Sequence, residues 1–317
     1  MSPQAVTLIA GGVGGAKMAE GFAACPEVRL SIVGNVADDA EFHGLWVSPD
    51  IDTLTYTLAG LINREQGWGM ADEGHRALDT LARLGEDTWM FLGDRDFGLH
   101  ILRTARVHRG ERRSVIAADI ARALGVGPRI LLPTDDVVQT RVRTDRGWLG
   151  FQEYFVRERC APEVRTIAFD GIEMARPTPE ALEAIATADL IVIAPSNPLV
   201  SVAPILGIPG IRRAVAEAPA PCIAVSPLIA GKVVKGPADR MLASLGHQAD
   251  ALGVARLYAD IADRFLIDQA DADLAGAIAS LGLAPDIRDI LMRDAADKAR
   301  LAGEILALGL PQAAAAP

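Results

Sequence analysis

The chain begins with an apolar run, Val6-Thr-Leu-Ile-Ala10, followed at once by the glycine-rich Gly11-Gly-Val-Gly-Gly15. Helix-forming residues run from Lys17 to Ala24, and a second apolar run, Leu30-Ser-Ile-Val-Gly34, follows. Strand, glycine turn, helix and strand in that order make a βαβ unit, which commits the chain to a parallel sheet with right-handed crossovers. A parallel sheet is buried on both faces and needs many apolar residues. Half of the 317 residues are hydrophobic, enough for such a core.

The same rhythm returns late in the chain. A helix in the 180s precedes Leu190-Ile-Val-Ile-Ala194, and a helix over 210–217 precedes Cys222-Ile-Ala-Val-Ser226. A helix over 238–245, a last strand at Phe265–Asp268 and a closing helix complete the pattern. Between these halves the pattern is irregular. Helices are expected over 53–63, 73–84, 97–108 and 115–124, and strands over 129–132, 139–144 and 147–156, with a hairpin turn at Asp145-Arg-Gly147. The expectation is a single α/β domain: a Rossmann-like parallel sheet core from about 1–60 and 180–275, an inserted smaller α+β subdomain at about 61–179, and a C-terminal helix at about 285–308. The Ala/Pro-rich tail, 312–317, reads as frayed.

The formal charge of −10 argues against a nucleic-acid partner. Cys25, Cys160 and Cys222 have no paired spacing, which speaks against a disulfide framework and suits a reducing cytoplasm. No basic segment leads into a long apolar run, and no 18-residue stretch is apolar and uncharged, so neither a signal peptide nor a membrane span is expected.

Glycines at a strand-to-helix turn let backbone amides approach a phosphate, or simply make a tight turn. The dinucleotide fingerprint fails here, because Lys17 stands where its last glycine should be, and the Walker A spacing fails as well. Two acidic pairs follow on apparent loops, Asp38-Asp39 and Asp50/Asp52. Carboxylates in such places hold Mg²⁺, act as a general base, or cap helices and turns. Gly93-Asp-Arg-Asp96 reads as a charged loop. Pro195-Ser-Asn-Pro198 sits after an apolar strand, at the end where α/β sheets bind ligands. Lys232 and Lys235 lie on a glycine-bounded loop suited to phosphate or to solvent, and Trp68 and Trp148 either stack on a flat ring or pack.

Taken in order, these segments resemble the 2-phospho-L-lactate transferase (CofD) family of coenzyme F420 biosynthesis over about residues 5–270. The resemblance rests on Ala10-Gly-Gly-Val-Gly-Gly-Ala-Lys17, Asp38-Asp39, His43-Gly-Leu45, Ser48-Pro-Asp-Ile-Asp-Thr53, Gly67-Trp-Gly69, Leu92–Asp96, Phe151-Gln-Glu153, Ala194–Pro198, Pro204-Ile-Leu206, Ser226-Pro227 and Lys235-Gly-Pro237. It implies transfer of a phospho-three-carbon-acid group from a GDP-linked donor to the ribityl hydroxyl of the deazaflavin Fo, with GMP released, Mg²⁺ required and a cytoplasmic homodimer expected. By position it assigns Asp39 and Asp52 as catalytic residues and metal ligands. Asp50, Asp52, Thr53 and Arg95 would meet Fo. Gly11, Gly12, Gly14, Gly15, Lys17, Asn35, Ser196, Asn197 and Lys235 would hold the donor nucleotide and its phosphates. Asp38 is left with a structural role. The family often carries glycine where Ala37 stands, a departure that edges toward CofD-like nucleotide-sugar-binding regulators and restricts the turn.

Overall fold

The computed structural model describes residues 3–310; the frayed tail expected at 312–317 lies outside them. Seven strands form one sheet: β1 (Gln4–Ala10), β2 (Val28–Gly34), β3 (Arg129–Leu131), β4 (Leu190–Ile193), β5 (Cys222–Val225), β6 (Arg264–Asp268) and β7 (Ala284–Arg288). All neighbours are parallel, in the order β7-β6-β5-β4-β1-β2-β3. Alternate residues of the interior strands feed two separate cores. Ile9, Val33, Ile191, Ile193 and Phe265 point to one side. Leu8, Ile32, Val192, Ile223 and Leu266 point to the other. Both faces are covered by helices, as the unbroken apolar runs require.

The second face carries α1 (Gly12–Ala23), α2 (Pro49–Leu58) and the C-terminal α5 (Ala295–Gly309), with α1 packed on both of the others. Two more helices, α3 (Asp94–His108) and α4 (Arg113–Ala123), follow α2 in the chain. A separate three-stranded antiparallel sheet combines 139–144, 147–150 and 164–170.

Several boundaries differ from expectation. The first helix starts at Gly12 rather than Lys17, so the glycine run is mostly helical. The second starts at Pro49, which puts Asp50 and Asp52 in a helical first turn and not on a loop. Gly93–Asp96 likewise begins α3. The expected strand over 147–156 stops at Gly150 and turns into a π-helical segment, Glu153–Arg157. The strand at 129–131 belongs to the central sheet, although it lies within the segment read as an insertion. Phe265–Asp268 is not the last strand, because β7 pairs beyond it, and the closing helix begins at Ala295.

Candidate active site

In an open parallel sheet, ligands bind outside the carboxyl ends of the strands where the winding reverses. Here that point lies between β1 and β4, which are neighbours carrying the glycine turn and the Pro195–Pro198 loop. A cleft of about 550 Å³ opens there.

Packing explains much of the glycine run. A Cβ at Gly14 would run into the Pro195 carbonyl oxygen, and one at Gly11 would lie 2.6 Å from Asp50 Oδ2. The glycines therefore let α1 touch both the β4 loop and the acidic helix. Ser196 locks the contact: its Oγ accepts from Gly11 N at 3.1 Å and donates to Gly11 O at 2.7 Å. Gly11, Gly12, Gly14, Lys17, Ser196, Asn197 and Lys235 line the cleft, whereas Gly15 and Asn35 stand behind it. Asn35 spends its amide on Asp50 Oδ2 (3.0 Å) and the Val200 carbonyl (3.3 Å), while its Oδ1 accepts from Ala37 N. It braces Asp50 from behind the cleft lining. Lys17 Nζ donates to the Met292 carbonyl at 3.1 Å, and Lys235 Nζ to the Gln66 carbonyl.

The acidic groups separate into two kinds. Asp38 and Asp50 line the cleft, and both are buried. Burial, together with the charges of Asp50 and Asp39, pushes the Asp38 carboxyl well above its usual range. Burial raises Asp50 to about 6, although Asn35 and the Gly12 amide favour its charged form. The three-stranded sheet holds Asp38 in place: Thr140 N donates to the Ala37 carbonyl at 2.7 Å, and Thr140 Oγ1 to Asp38 Oδ1 at 3.3 Å. Asp38, read from sequence as structural, is thus a cleft residue. Ala37 strains nothing, since it is not among the positive-φ residues.

Asp39 and Asp52 are more committed. Asp39 Oδ2 accepts from Ser48 Oγ (2.8 Å) and Trp46 Nε1 (3.1 Å), does not line the cleft, and leaves Oδ1 buried without a partner. Burial raises it to about 7. Asp52 does line the cleft, but both of its oxygens are held by the Arg103 guanidinium, with Nη1 to Oδ2 at 3.1 Å. Among the described residues no three His, Cys, Asp or Glu side chains converge for a metal.

Sequence reasoning missed a buried set on α2 and α3. Tyr56 Oη donates to Asp96 Oδ1 at 2.7 Å, and His100 sits 3.2 Å from Arg103 Nη1; Tyr56, Asp96 and His100 all line the cleft. Burial raises Asp96 to about 6 and lowers His100 to about 4, so that imidazole is neutral. His100 and Arg103 stand three residues apart on α3 and share a helix face, but sequence spacing does not report their approach to Asp52. Thr53 lines the cleft. Arg95 does not: it is exposed and donates to the Ala71 carbonyl at 2.9 Å. The mouth is apolar and partly aromatic, with Trp68, Phe91 and Phe155 each two-fifths exposed or more; Trp148 lies elsewhere.

A glycine-rich helix start, buried carboxylates and an aromatic mouth meet at the switch point of an α/β sheet. The family model described as 2-phospho-L-lactate transferase CofD matches residues 6–280, and the chain belongs to that family. It is accordingly a phospho-acid transferase of coenzyme F420 biosynthesis. A phosphoenolpyruvate transferase of Kitasatospora aureofaciens is 41% identical, covering 96% of this chain and 97% of its own. A 2-phospho-L-lactate transferase of Methanopyrus kandleri is 37% identical, covering 95% and 96%. A UPF0052 family protein from Bacillus halodurans shares the fold, with a TM-score of 0.64 at 16% identity over 96% of this chain and 99% of that one. Among the described residues no helix is long and apolar enough to cross a membrane.

Proposed function

We propose that this cleft transfers a phospho-three-carbon-acid group from a GDP-linked donor to the ribityl hydroxyl of Fo and releases GMP. The observation that carries the reading is the meeting of Asp38 and Asp50 with the start of α1 inside one cleft. The donor's diphosphate would lie along the α1 amides near Lys17 and Lys235, where helix-end amides and cations favour anions. The Fo ring would rest in the mouth near Trp68, Phe91 and Phe155.

In the transfer, the ribityl oxygen bonds to the phosphorus that carries the acid, and that phosphorus releases the GMP phosphate oxygen. The hydroxyl proton goes to a carboxylate. Asp50, at about 6, suits that base role better than Asp52, whose oxygens Arg103 already holds. Asp52 is then an orienting residue, a shift from the role first assigned to it.

The site fits Mg²⁺. Asp38, Asp39, Asp50 and Asp52 are all buried, Arg103 is the buried guanidinium among them, and Asp39 Oδ1 lacks a partner. Asp38 would hold the ion from the cleft, with water and diphosphate oxygens completing its shell, which leaves Asp50 free to take the proton. When bound, it supplies charge neutralisation on the diphosphate and the departing GMP.

The similarity to phosphoenolpyruvate transferases of Kitasatospora and of other bacteria at 38–39% identity favours a phosphoenolpyruvyl donor. A cytoplasmic homodimer remains part of the proposal, and sedimentation would test its oligomeric state. The deciding experiment incubates the protein with Fo, Mg²⁺ and each GDP-linked donor in turn and follows the mass of Fo. A mass gain largest with the phosphoenolpyruvyl donor is expected. No product with any donor, together with tight binding of a UDP-sugar, would instead support a non-catalytic nucleotide-sugar binder.

A further inference from the structure

Behind the cleft, α1 and the C-terminal α5 share an ion cluster that the transfer does not use. Lys298 on α5 is buried, and its Nζ donates to Glu20 Oε2 at 2.6 Å. Arg64 takes the rest of that carboxylate, with Nη1 to Oε2 at 2.8 Å and Nη2 to Oε1 at 2.7 Å. Glu20 lies three residues after Lys17 on α1, a spacing at which opposite charges on a helix pair. Lys17 makes no such pair. Its Nζ reaches the Met292 carbonyl instead, and the residue lines the cleft. Burial and the nearby Lys298 and Lys235 charges lower its pKa, against the pull of Glu20.

The backbone fixes this arrangement. A Cβ at Gly21 would lie 2.9 Å from the Lys298 carbonyl carbon, so the two helices touch at that point. Lys298 is therefore delivered to Glu20 by close helix packing, 278 residues away in sequence.

We infer that Lys298 is a positioning residue for the transfer: together with Arg64 it saturates Glu20 and keeps the Lys17 ammonium available to an anionic substrate group. The inference rests on the reading that the cleft takes the donor's phosphates. Without Lys298, Glu20 keeps only the exposed Arg64 as partner, and its under-compensated charge one turn from Lys17 draws the ammonium out of the cleft. A lysine already paired with a carboxylate offers a phosphate oxygen little, because it must first give up that partner.

The test compares Lys298→Met, Lys298→Arg and the double variant Glu20→Gln/Lys298→Met by steady-state kinetics and by GDP calorimetry. Lys298→Met should raise donor KM and GDP Kd by about tenfold, the scale of one weakened charge-assisted contact, with kcat little changed. Lys298→Arg should retain wild-type values. The double variant should recover most of the lost affinity, since it removes the competing carboxylate. Removing both halves also relieves an uncompensated buried charge, so thermal melts accompany each variant, and an affinity loss that only follows a loss of folded protein would overturn the inference. Unchanged affinity in Lys298→Met, or a double variant as weak as the single, would overturn the inference. Lys17→Met separates the two levels: unchanged GDP affinity there overturns the placement of the donor itself.

Discussion

The Arg103 guanidinium on α3 grips both carboxylate oxygens of Asp52 on α2, and both residues are buried. Removing one member of a buried ion pair leaves the other uncompensated, at a cost of about 3–5 kcal/mol. Arg103→Met should therefore lower stability on that scale in denaturant titrations. Asp52→Asn should do the same and also lose most turnover. Near-normal activity in Asp52→Asn would remove Asp52 from the mechanism.

Asp38 and Asp50 face the cleft, whereas Asp39 does not. Asp38→Asn should weaken Mg²⁺ activation at least tenfold and Asp39→Asn much less, whereas Asp50→Asn should lose most turnover even at saturating Mg²⁺. Titrating activity against Mg²⁺ after chelator treatment checks the ranking. If Asp39→Asn proves the most damaging, the ion sits deeper than the cleft wall.

Gly14 has no room for a methyl group beside the Pro195 carbonyl. Gly14→Ala should push the β4 loop away from α1, cost about 1–3 kcal/mol as an overpacked contact and weaken GDP binding. Calorimetry and a thermal melt on the same sample read both effects. A variant with wild-type melting and affinity would mean that the loop yields freely.

His100 is lowered by burial from 6.5 to about 4 in the folded protein. The unfolded chain therefore takes up this proton first as pH falls. The stability that His100 contributes is complete above about 6.5 and is lost as pH drops through about 4. His100→Gln should flatten the acid limb of the stability curve between those values. Asp96, raised to about 6, has the opposite sign, with stability present at low pH and lost as pH rises through about 6. Asp96→Asn should remove that second slope. Parallel pH series of denaturant midpoints for wild type and both variants test each sign separately.

The interior strands were legible because burial on both faces writes them as unbroken apolar runs. The edge strand β7, Ala284-Pro-Asp-Ile-Arg288, is half polar and was not anticipated. Strand β3 was seen but placed outside the core, because its partner β2 lies about a hundred residues earlier and nothing local reports that pairing. The start of α1 was put five residues late, since glycine is a poor helix former and the contact with Pro195 that selects it is tertiary. In the site, residue types identified the acidic loops, the glycine turn and the β4 loop. Which carboxylates remain available was decided by Arg103, Ser48 and Trp46, and their approach to Asp52 and Asp39 needs the folded chain.

The position of β1 in the sheet has a consequence for how the protein is made. One edge of β1 meets β2 almost as soon as both exist, but the other must wait for β4, about 180 residues later. During synthesis the first strand carries an unpaired apolar edge until well over half of the chain has emerged. Such non-local pairing slows folding and leaves the nascent chain open to misassociation. The cleft, built from both edges of β1, forms only when that late strand arrives, so fragments ending before residue 190 should neither bind the donor nor stay monomeric.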